Sequence, residues 1–367
     1  MTGLVELLRE LVAVDSINPD LIPGAAGEAE LAGVVASWCE RAGLRVQVHE
    51  AAPGRPNVIA TADGTGSGRT LLLNAHMDTV GVETMQAPFE ARLENGRLYG
   101  RGAYDMKGSL AAIMIVAAEA KRRGLAGDVV VAAVADEEVA SLGTEALVAR
   151  GDRFDAAVVA EPTELDVAVA HKGFAGFEIE TPGRAAHGSR PDLGVDAIAR
   201  MGPVLVELGS LADELLGGRA HPLLGTGSVH ASLIEGGQEF SSYPERCLLT
   251  GERRTIPGES VSDVQTELQA LLTRSVPDAT LRLGVTREPF EVEPDAEIVE
   301  LLIRHAGTSV IGVPFWTDAA LVAGSGVPTV VYGPAGEGAH AAVEWVDLGS
   351  VERCADVLLA VVSDFCG

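Results

Sequence analysis

Apolar residues recur along the chain in patterns typical of helices and of buried strands. Helical spacing predicts helices at residues 4–11, 28–41, 108–123, 192–216 and 260–272. Continuous apolar runs, which are typical of strands buried on both faces, occur at residues 71–73, 129–134, 156–159 and 330–332. Such strands alternating with helices predict an α/β fold, with a mixed, mostly parallel sheet sandwiched by helices.

The middle of the chain has a different pattern. Strand-like segments at residues 174–180, 227–233, 246–251 and 280–285 alternate with the last two predicted helices. This pattern indicates a separate α+β layer inserted into the first domain. We therefore expect a discontinuous domain of residues 1–172 and 286–367, interrupted by an inserted domain of residues 173–285.

The charge of the chain narrows its range of partners. The 367 residues include 53 Asp and Glu but only 27 Lys and Arg, which gives a formal net charge of −26. This field repels phosphate backbones and argues against a nucleic-acid partner. No basic segment followed by an apolar stretch opens the chain, and no apolar run approaches the roughly 20 residues of a membrane span. We therefore expect a cytoplasmic protein with no membrane partner.

Acids and histidines follow the apolar strands at their carboxyl ends, where ligands of such sheets bind. They are His76, Asp78, Glu137, Glu138, Glu161 and His340, and Asp105 joins them from a loop. Clustered carboxylates repel one another unless protons or cations lie between them. Imidazole nitrogen and carboxylate oxygen are typical ligands of Zn²⁺, with Co²⁺ and Mn²⁺ as substitutes. Two histidines with three acids suit a pair of metals that share one carboxylate.

Neighbouring positions at the strand ends predict a division of roles. His76 and Asp78 are two residues apart and point to the same face, so Asp78 can hold the second nitrogen of His76. Glu137 and Glu138 are adjacent and point to different sides. One of them can therefore bind metal while the other faces the substrate as a general base.

The ordered set of motifs resembles the di-zinc amidohydrolase and metallopeptidase family of acetylornithine deacetylase, succinyl-diaminopimelate desuccinylase, aminoacylase and carboxypeptidase G. The matching segments are residues 74–78, 100–108, 136–138, 161–162, 184–191, 251–258 and 338–340. They occur in family order and span nearly the whole chain, so the set is specific to the family but not to a substrate. The resemblance implies a zinc-peptidase-like catalytic domain with an inserted ferredoxin-like lid that also forms a homodimer.

Position by position, the resemblance implies two Zn²⁺ ions per chain. Asp105 would bridge them, His76 and Glu161 would complete one site, and Glu138 and His340 would complete the other. The peptide bond after the bridging aspartate is commonly cis in this family, so a cis bond is expected after Asp105.

The resemblance also implies residues that act on the substrate. Glu137 would be the general base, and the lid residue His187 would stabilise the oxyanion in the partner subunit's site. Arg254 matches the family arginine that binds a substrate carboxylate, although the adjacent Arg253 is an alternative. Ser241 stands where the family often has Asn, which weakens the transfer of substrate contacts from that strand.

The implied reaction is hydrolysis of an amide bond next to a carboxylate, as in N-acyl amino acids. Two zinc ions would share a water and lower its pKa toward 7, and Glu137 would take the proton as the hydroxide attacks. The motifs resemble the acetylornithine deacetylase branch, while a dipeptidase, carboxypeptidase or desuccinylase activity on a short peptide or related substrate stays open. A serine esterase would need Gly-x-Ser-x-Gly, which the chain lacks. A non-catalytic homologue would be expected to have lost Glu137 or a ligand, and none is missing.

Overall fold

The structure is a computed structural model that describes residues 3–367. Within that range, the α-helices are α1 Leu4–Val12, α2 Ala29–Arg41, α3 Gly108–Arg123, α4 Leu142–Ala149, α5 Ala197–Gly217, α6 Val261–Ser275, α7 Glu297–Ala306, α8 Ala319–Gly324 and α9 Leu348–Cys366. The strands are β1 Arg45–Ala52, β2 Arg55–Ala62, β3 Leu71–His76, β4 Arg92–Glu94, β5 Arg97–Tyr99, β6 Val129–Val134, β7 Ala156–Val159, β8 Val167–His171, β9 Gly173–Pro182, β10 Ala220–His221, β11 Gly225–Thr226, β12 Ser228–Gly236, β13 Arg246–Thr255, β14 Thr280–Arg287, β15 Phe290–Glu291, β16 Val310–Val313, β17 Thr329–Val331, β18 Gly336–Glu337 and β19 Trp345–Asp347.

The chain forms two compact units. The first contains the residues up to Val169 together with Val292–Ile311 and Thr317–Gly367. The second contains Ala170–Glu291 and Gly312–Trp316. The predicted inserted domain, residues 173–285, lies within the second unit, which also includes residues 170–172, 286–291 and 312–316.

Parallel strands form the centre of the sheet in the first unit. The strand order there is β1-β2-β6-β3-β7-β17-β8. Strand β3 is parallel to β6 and β7, and β7 is parallel to β17, whereas the flanking strands are antiparallel. The predicted mixed α/β sheet is confirmed, and its parallel pairing is confined to the apolar strands at the centre.

Helices cover both faces of this sheet. Leu71 and Leu73 join a large core formed with α1, α2, α3, α7 and α9. The intervening Leu72 joins a smaller core on the opposite face, where Leu147 of α4 and Val322 of α8 pack. Successive strand residues point to opposite faces, so continuous apolar sequence is what a sheet covered on both sides requires.

A separate small sheet brings two distant loops of the first unit together. Its strand order is β18-β19-β5-β4, and Trp345 of β19 pairs with Tyr99 of β5. The loop that carries Asp105 follows β5, and the loop that carries His340 lies between β18 and β19. The pairing therefore fixes the starting points of both loops.

The second unit has an antiparallel sheet with strand order β12-β13-β9-β14. Phe177 and Ile179 of β9 pack in a core with Leu208 of α5 and Leu268 of α6. The element order β9-α5-β12-β13-α6-β14 is the β-α-β-β-α-β arrangement of ferredoxin-like folds.

The helix predicted for residues 192–216 begins later than expected. It starts at Ala197, because the side chain of Asp196 accepts a hydrogen bond from Ala199 N and caps the helix. Val195 instead pairs with Arg184 in an isolated β-bridge. The helical prediction for residues 192–196 is therefore wrong. Within residues 3–367, the helices are all too short or too polar to cross a membrane.

Candidate active site

The predicted ligands meet at one edge of the central sheet. His76 ends β3, Glu138 follows β6, and Glu161 follows β7. Because these strands are parallel neighbours, their carboxyl ends lie side by side. Asp105 and His340 reach the same edge from the two loops joined by the small sheet.

The first group of ligand-type side chains contains His76, Asp105 and Glu161, whose candidate ligand atoms lie within 4.8 Å of one another. His76 Nε2 is 3.1 Å from Asp105 Oδ1 and 3.7 Å from Glu161 Oε1. The His76 side chain is 1% exposed and that of Glu161 is 6% exposed. One nitrogen and two carboxylate oxygens therefore face a common point shielded from solvent.

The second group contains Asp105, Glu138 and His340, again within 4.8 Å. His340 Nε2 is 3.0 Å from Glu138 Oε2 and 3.4 Å from Asp105 Oδ2. Each oxygen of Asp105 thus faces a different histidine. This is the arrangement that a carboxylate shared by two metals requires, and the peptide bond from Asp105 to Met106 is cis, as expected.

The ring of His76 is oriented by the main chain of Asp78. His76 Nδ1 lies 2.9 Å from the Asp78 carbonyl oxygen and 3.6 Å from the carboxylate Oδ1. A carbonyl can only accept, so Nδ1 carries a hydrogen and Nε2 is the ring atom that faces Asp105 and Glu161. Asp78 therefore holds the second nitrogen of His76 through its main-chain carbonyl oxygen.

The Asp78 carboxylate instead anchors the turn after β6. Its Oδ1 accepts from Glu137 N at 3.0 Å, and its Oδ2 accepts from Glu138 N at 3.1 Å. Asn18 Nδ2 also donates to Oδ2 at 2.8 Å and to Asp136 Oδ1 at 2.9 Å. Sequence reasoning missed Asn18, because the residue lies far along the chain and belongs to no catalytic motif.

Burial and mutual repulsion shape the charges of this cluster. Burial raises the pKa of Glu137 well above its ordinary range, and the negative charge of Glu161 adds to the effect. Burial opposes ionisation of Asp105 too, but hydrogen bonds from His340 and His76 hold its pKa below the ordinary range. The hydrogen bond to Asp105 is the largest cause that raises the pKa of His340, to about 10. The cluster thus needs positive charge at its centre, which protons or bound cations supply.

Asp318 is a further buried carboxylate beside this cluster. It directly precedes α8, and its side chain makes no capping hydrogen bond. Thr144 Oγ1 instead donates to Asp318 Oδ2 at 2.6 Å, and burial raises the pKa of Asp318 to about 6. Its charge also raises the pKa of Glu137 and Glu161. A tertiary contact therefore takes this carboxylate away from the helix end.

Two arginines of β13 in the second unit differ in their surroundings. Arg253 is 3% exposed, and its guanidinium pairs with Glu259 at 3.2 Å and Glu267 at 3.1 Å. The Arg254 side chain is 32% exposed, and its Nε donates to Glu252 Oε1 at 2.7 Å. Arg254 is therefore the better placed of the two to bind a carboxylate from solution.

His187 lies on an exposed segment of the second unit. Gly188 N donates to the Ser241 carbonyl at 2.6 Å, and His187 pairs with Ser242 in a β-bridge. Ser189 N donates to His187 Nδ1 at 3.2 Å. Because an amide N–H can only donate, Nδ1 is the acceptor and the neutral ring carries its hydrogen on Nε2. His187 therefore presents an Nε2–H donor.

The donor set of the first unit fits a pair of divalent metal ions. Imidazole nitrogens and carboxylate oxygens suit Zn²⁺, Co²⁺ and Mn²⁺, and a shared carboxylate is typical of paired sites. The Asp78 carbonyl holds Nδ1–H of His76, so Nε2 is the nitrogen available to a metal ion.

The chain resembles known proteins over its full length. An acetylornithine deacetylase from Myxococcus xanthus is 34% identical over 385 residues, covering 100% of this chain and 98% of that protein. An acetylornithine deacetylase from Proteus mirabilis is 29% identical, covering 99% of this chain and 96% of that protein.

Solved structures share the fold at lower sequence identity. The aminopeptidase PepT from Bacillus cereus superposes with a TM-score of 0.80 at 21% identity, covering 99% of this chain and 98% of that one. The metallo-carboxypeptidase Sso-CP2 from Sulfolobus solfataricus gives a TM-score of 0.81 at 19% identity, covering 99% of each. The Bacillus subtilis YXEP protein, described as a dinuclear metal binding peptidase, gives 0.75 at 17% identity, covering 100% of this chain and 98% of that one.

The model of peptidase family M20/M25/M40 matches residues 72–364, which include all of the predicted ligands. The resemblance inferred from the motifs is confirmed, and the chain belongs to peptidase family M20/M25/M40.

Proposed function

We propose that the protein is a metal-dependent amidohydrolase that removes the acyl group of an N-acyl amino acid, with N-acetylornithine as the first candidate. The observation that carries the proposal is the pair of ligand groups around Asp105, with the carboxyl of Glu137 beside them. Relatives named acetylornithine deacetylase, matched over nearly their whole length, support the deacylase branch. The dinuclear metal binding described for the Bacillus subtilis protein supports two metals per chain.

The metal ions would be held by the two groups already described, with Zn²⁺ as the first candidate and Co²⁺ or Mn²⁺ as substitutes. The proposed ligands are His76, Asp105, Glu138, Glu161 and His340. When bound, such ions polarise a carbonyl oxygen and make water acidic enough to lose a proton near neutral pH.

Glu137 is the proposed general base. The main-chain N–H of Glu137 donates a hydrogen bond to the Asp78 carboxylate. This bond fixes the backbone of Glu137 at the edge of the sheet where the proposed metal ligands meet, which we call the ligand edge. Burial raises the pKa of Glu137, which makes the carboxylate a stronger base than an exposed one. Glu137 would take the proton of the attacking water and return it to the departing amine.

Two residues of the second unit complete the proposal. The Nε2–H of His187 would donate to the oxygen that becomes negative as the carbonyl is attacked. The partly exposed guanidinium of Arg254 would bind the substrate carboxylate and set the position of the scissile amide.

We further propose a homodimer in which the second unit is the lid and the dimerisation domain. Strand β12 is an edge strand of its sheet, and Leu233 and Ile234 on it are 64% and 52% exposed. On the neighbouring helix α5, Val206 and Leu216 are 69% and 75% exposed. An unpaired strand edge beside apolar side chains is a natural template for a second chain.

A hydrolysis panel tests this function. Metal-free protein is reloaded with Zn²⁺, Co²⁺ or Mn²⁺ and incubated with N-acetyl, N-succinyl and N-formyl amino acids and with dipeptides. We expect release of acetate from N-acetylornithine that requires added metal and is absent in Glu137→Gln. Faster cleavage of dipeptides would assign a dipeptidase instead, and a metal-loaded protein that cleaves none of these compounds would refute the proposal.

A further inference from the structure

Glu344 lies shortly after His340, immediately before β19, and belongs to neither ligand group. We infer that Glu344 is a positioning residue that fixes Asp105 and holds the two ligand-bearing loops together as one piece. The inference rests on the proposed metal site, and it concerns how this chain builds that site.

Both oxygens of the Glu344 carboxylate accept hydrogen bonds from the loop that carries Asp105. The Glu344 side chain is 0% exposed. Oε1 accepts from Tyr104 N at 2.9 Å and from Asp105 N at 3.1 Å. Oε2 accepts from Arg101 Nη1 at 2.6 Å and from Gly102 N at 3.1 Å. A carboxylate offers about four lone-pair positions, so each of them has a donor from this loop.

Arg101 also forms hydrogen bonds with two other segments of the first unit. It is 3% exposed, and its Nη2 donates to the Ala341 carbonyl at 2.9 Å, next to His340. Its Nε donates to the Gly81 carbonyl at 3.1 Å. One ion pair, Arg101 with Glu344, therefore joins the segment that carries His340 to the loop that carries Asp105.

The chemistry calls for a carboxylate rather than an amide at residue 344. All the groups facing the side chain are N–H donors. A glutamine has the same shape, but one of its two terminal atoms is itself a donor. Two N–H groups of the loop would then face an NH₂ group and lose their acceptor, at a place that water does not reach.

The test is metal binding by Glu344→Gln. Metal-free protein is titrated with Co²⁺, and both the affinity and the visible d–d absorption, which reports ligand geometry, are recorded. We expect about 10- to 100-fold weaker binding and an altered absorption, as is typical when a partner that orients a ligand is lost. The matched control is Glu337→Gln, which makes the same change at an exposed residue of β18 and should behave like the wild type.

Metal-free melting temperatures separate positioning from general stability. If Glu344→Gln lowers the melting temperature but keeps wild-type cobalt affinity and absorption, Glu344 is only structural and the inference is overturned. If this variant does not fold, Arg101→Lys serves in its place. A lysine keeps the charge but cannot reach both carbonyls, so about threefold or greater weakening is expected. Unchanged binding in a folded Arg101→Lys protein overturns the inference.

The outcome is separable from that of the proposed function. A wild-type protein that binds cobalt but hydrolyses nothing refutes the function, while the cobalt data still decide the role of Glu344. A wild-type protein that binds no cobalt overturns the positioning role as well.

Discussion

Arg55 is the cation of a buried network beneath the ligand edge, and its removal should be costly. It donates to Glu28 through Nε at 2.8 Å and through Nη2 at 2.7 Å, and Nη2 also donates to Asp136 at 2.9 Å. The side chains of Glu28 and Asp136 are both 0% exposed, and that of Arg55 is 7% exposed. Arg55→Met keeps much of the side-chain volume but leaves two buried carboxylates without their cation.

The magnitude follows from this burial. Removing one partner of a buried ion pair typically costs about 3–5 kcal/mol, because an uncompensated charge remains. Arg55 also pairs with Asp20, which is 57% exposed and therefore adds less than about 1 kcal/mol. We expect Arg55→Met to lower the free energy of unfolding by about 3–5 kcal/mol. The double variant Arg55→Met with Glu28→Gln should recover part of this loss, because one stranded charge is gone.

The assay is urea unfolding of metal-free protein, monitored by circular dichroism. The free energies of unfolding of the variants are compared with a common m-value. The matched control is Arg45→Met, since Arg45 pairs with Asp63 at 2.7 Å but the two side chains are 52% and 42% exposed. That substitution should cost less than about 1 kcal/mol. If Arg55→Met costs no more than Arg45→Met, the reasoning from burial is wrong.

The loss should also depend on pH in a defined direction. Burial raises the pKa of Glu28, and the hydrogen bond from Arg55 opposes that rise. Without Arg55 the pKa of folded Glu28 rises further, so the folded state binds a proton that the unfolded state releases. Stability then falls as pH increases above the ordinary Glu range. The deficit of Arg55→Met should be smaller at about pH 5 than at about pH 8, and the opposite trend would contradict the assignment.

Four further outcomes test the proposed site. Elemental analysis after zinc loading should approach two metals per chain, and a protein that takes up none would exclude the metal site. Glu137→Gln should keep its metals and lose about 10²- to 10⁴-fold in kcat, whereas near-normal turnover would mean that another group takes the proton. Arg254→Met should raise KM for carboxylate substrates with little loss of stability, while Arg253→Met should destabilise the fold, and the reverse result would reassign the substrate contact. In a mixture of His187→Ala and Glu137→Gln chains with proven subunit exchange, about a quarter of wild-type activity should return if His187 acts across a dimer. No recovery would place its action within one chain.

Much of the fold could be predicted from the sequence, because its elements carry strong local patterns. The predicted bounds of the helix Gly108–Arg123 and of the strand Val129–Val134 agree with the structure, since each is an uninterrupted apolar element next to clear turn residues. The segment before Ala197 was mispredicted because Asp196 caps the helix, which periodicity alone does not reveal.

The proposed metal ligands could be predicted from the sequence because each follows a strand end or lies in a dense motif. The buried polar residues around them could not be predicted in this way. Asn18, Glu344 and Asp318 act through contacts with residues that are 60, 243 and 174 positions away, respectively. No local period encodes such contacts, so only the folded chain shows that these polar side chains converge on the ligand edge.

The pairing of β19 with β5 also has a consequence for how the protein is made. Arg101 and Glu344 are 243 residues apart in sequence, yet their ion pair joins two of the ligand-bearing segments. Contacts of such long range form late, because the intervening chain must first be synthesised and its loop closed. A ribosome-bound fragment that ends before β19 already contains His76, Asp105, Glu138 and Glu161. It lacks the strand that sets the position of His340. The two ligand groups can therefore assemble only after β19 has been synthesised and has paired with β5.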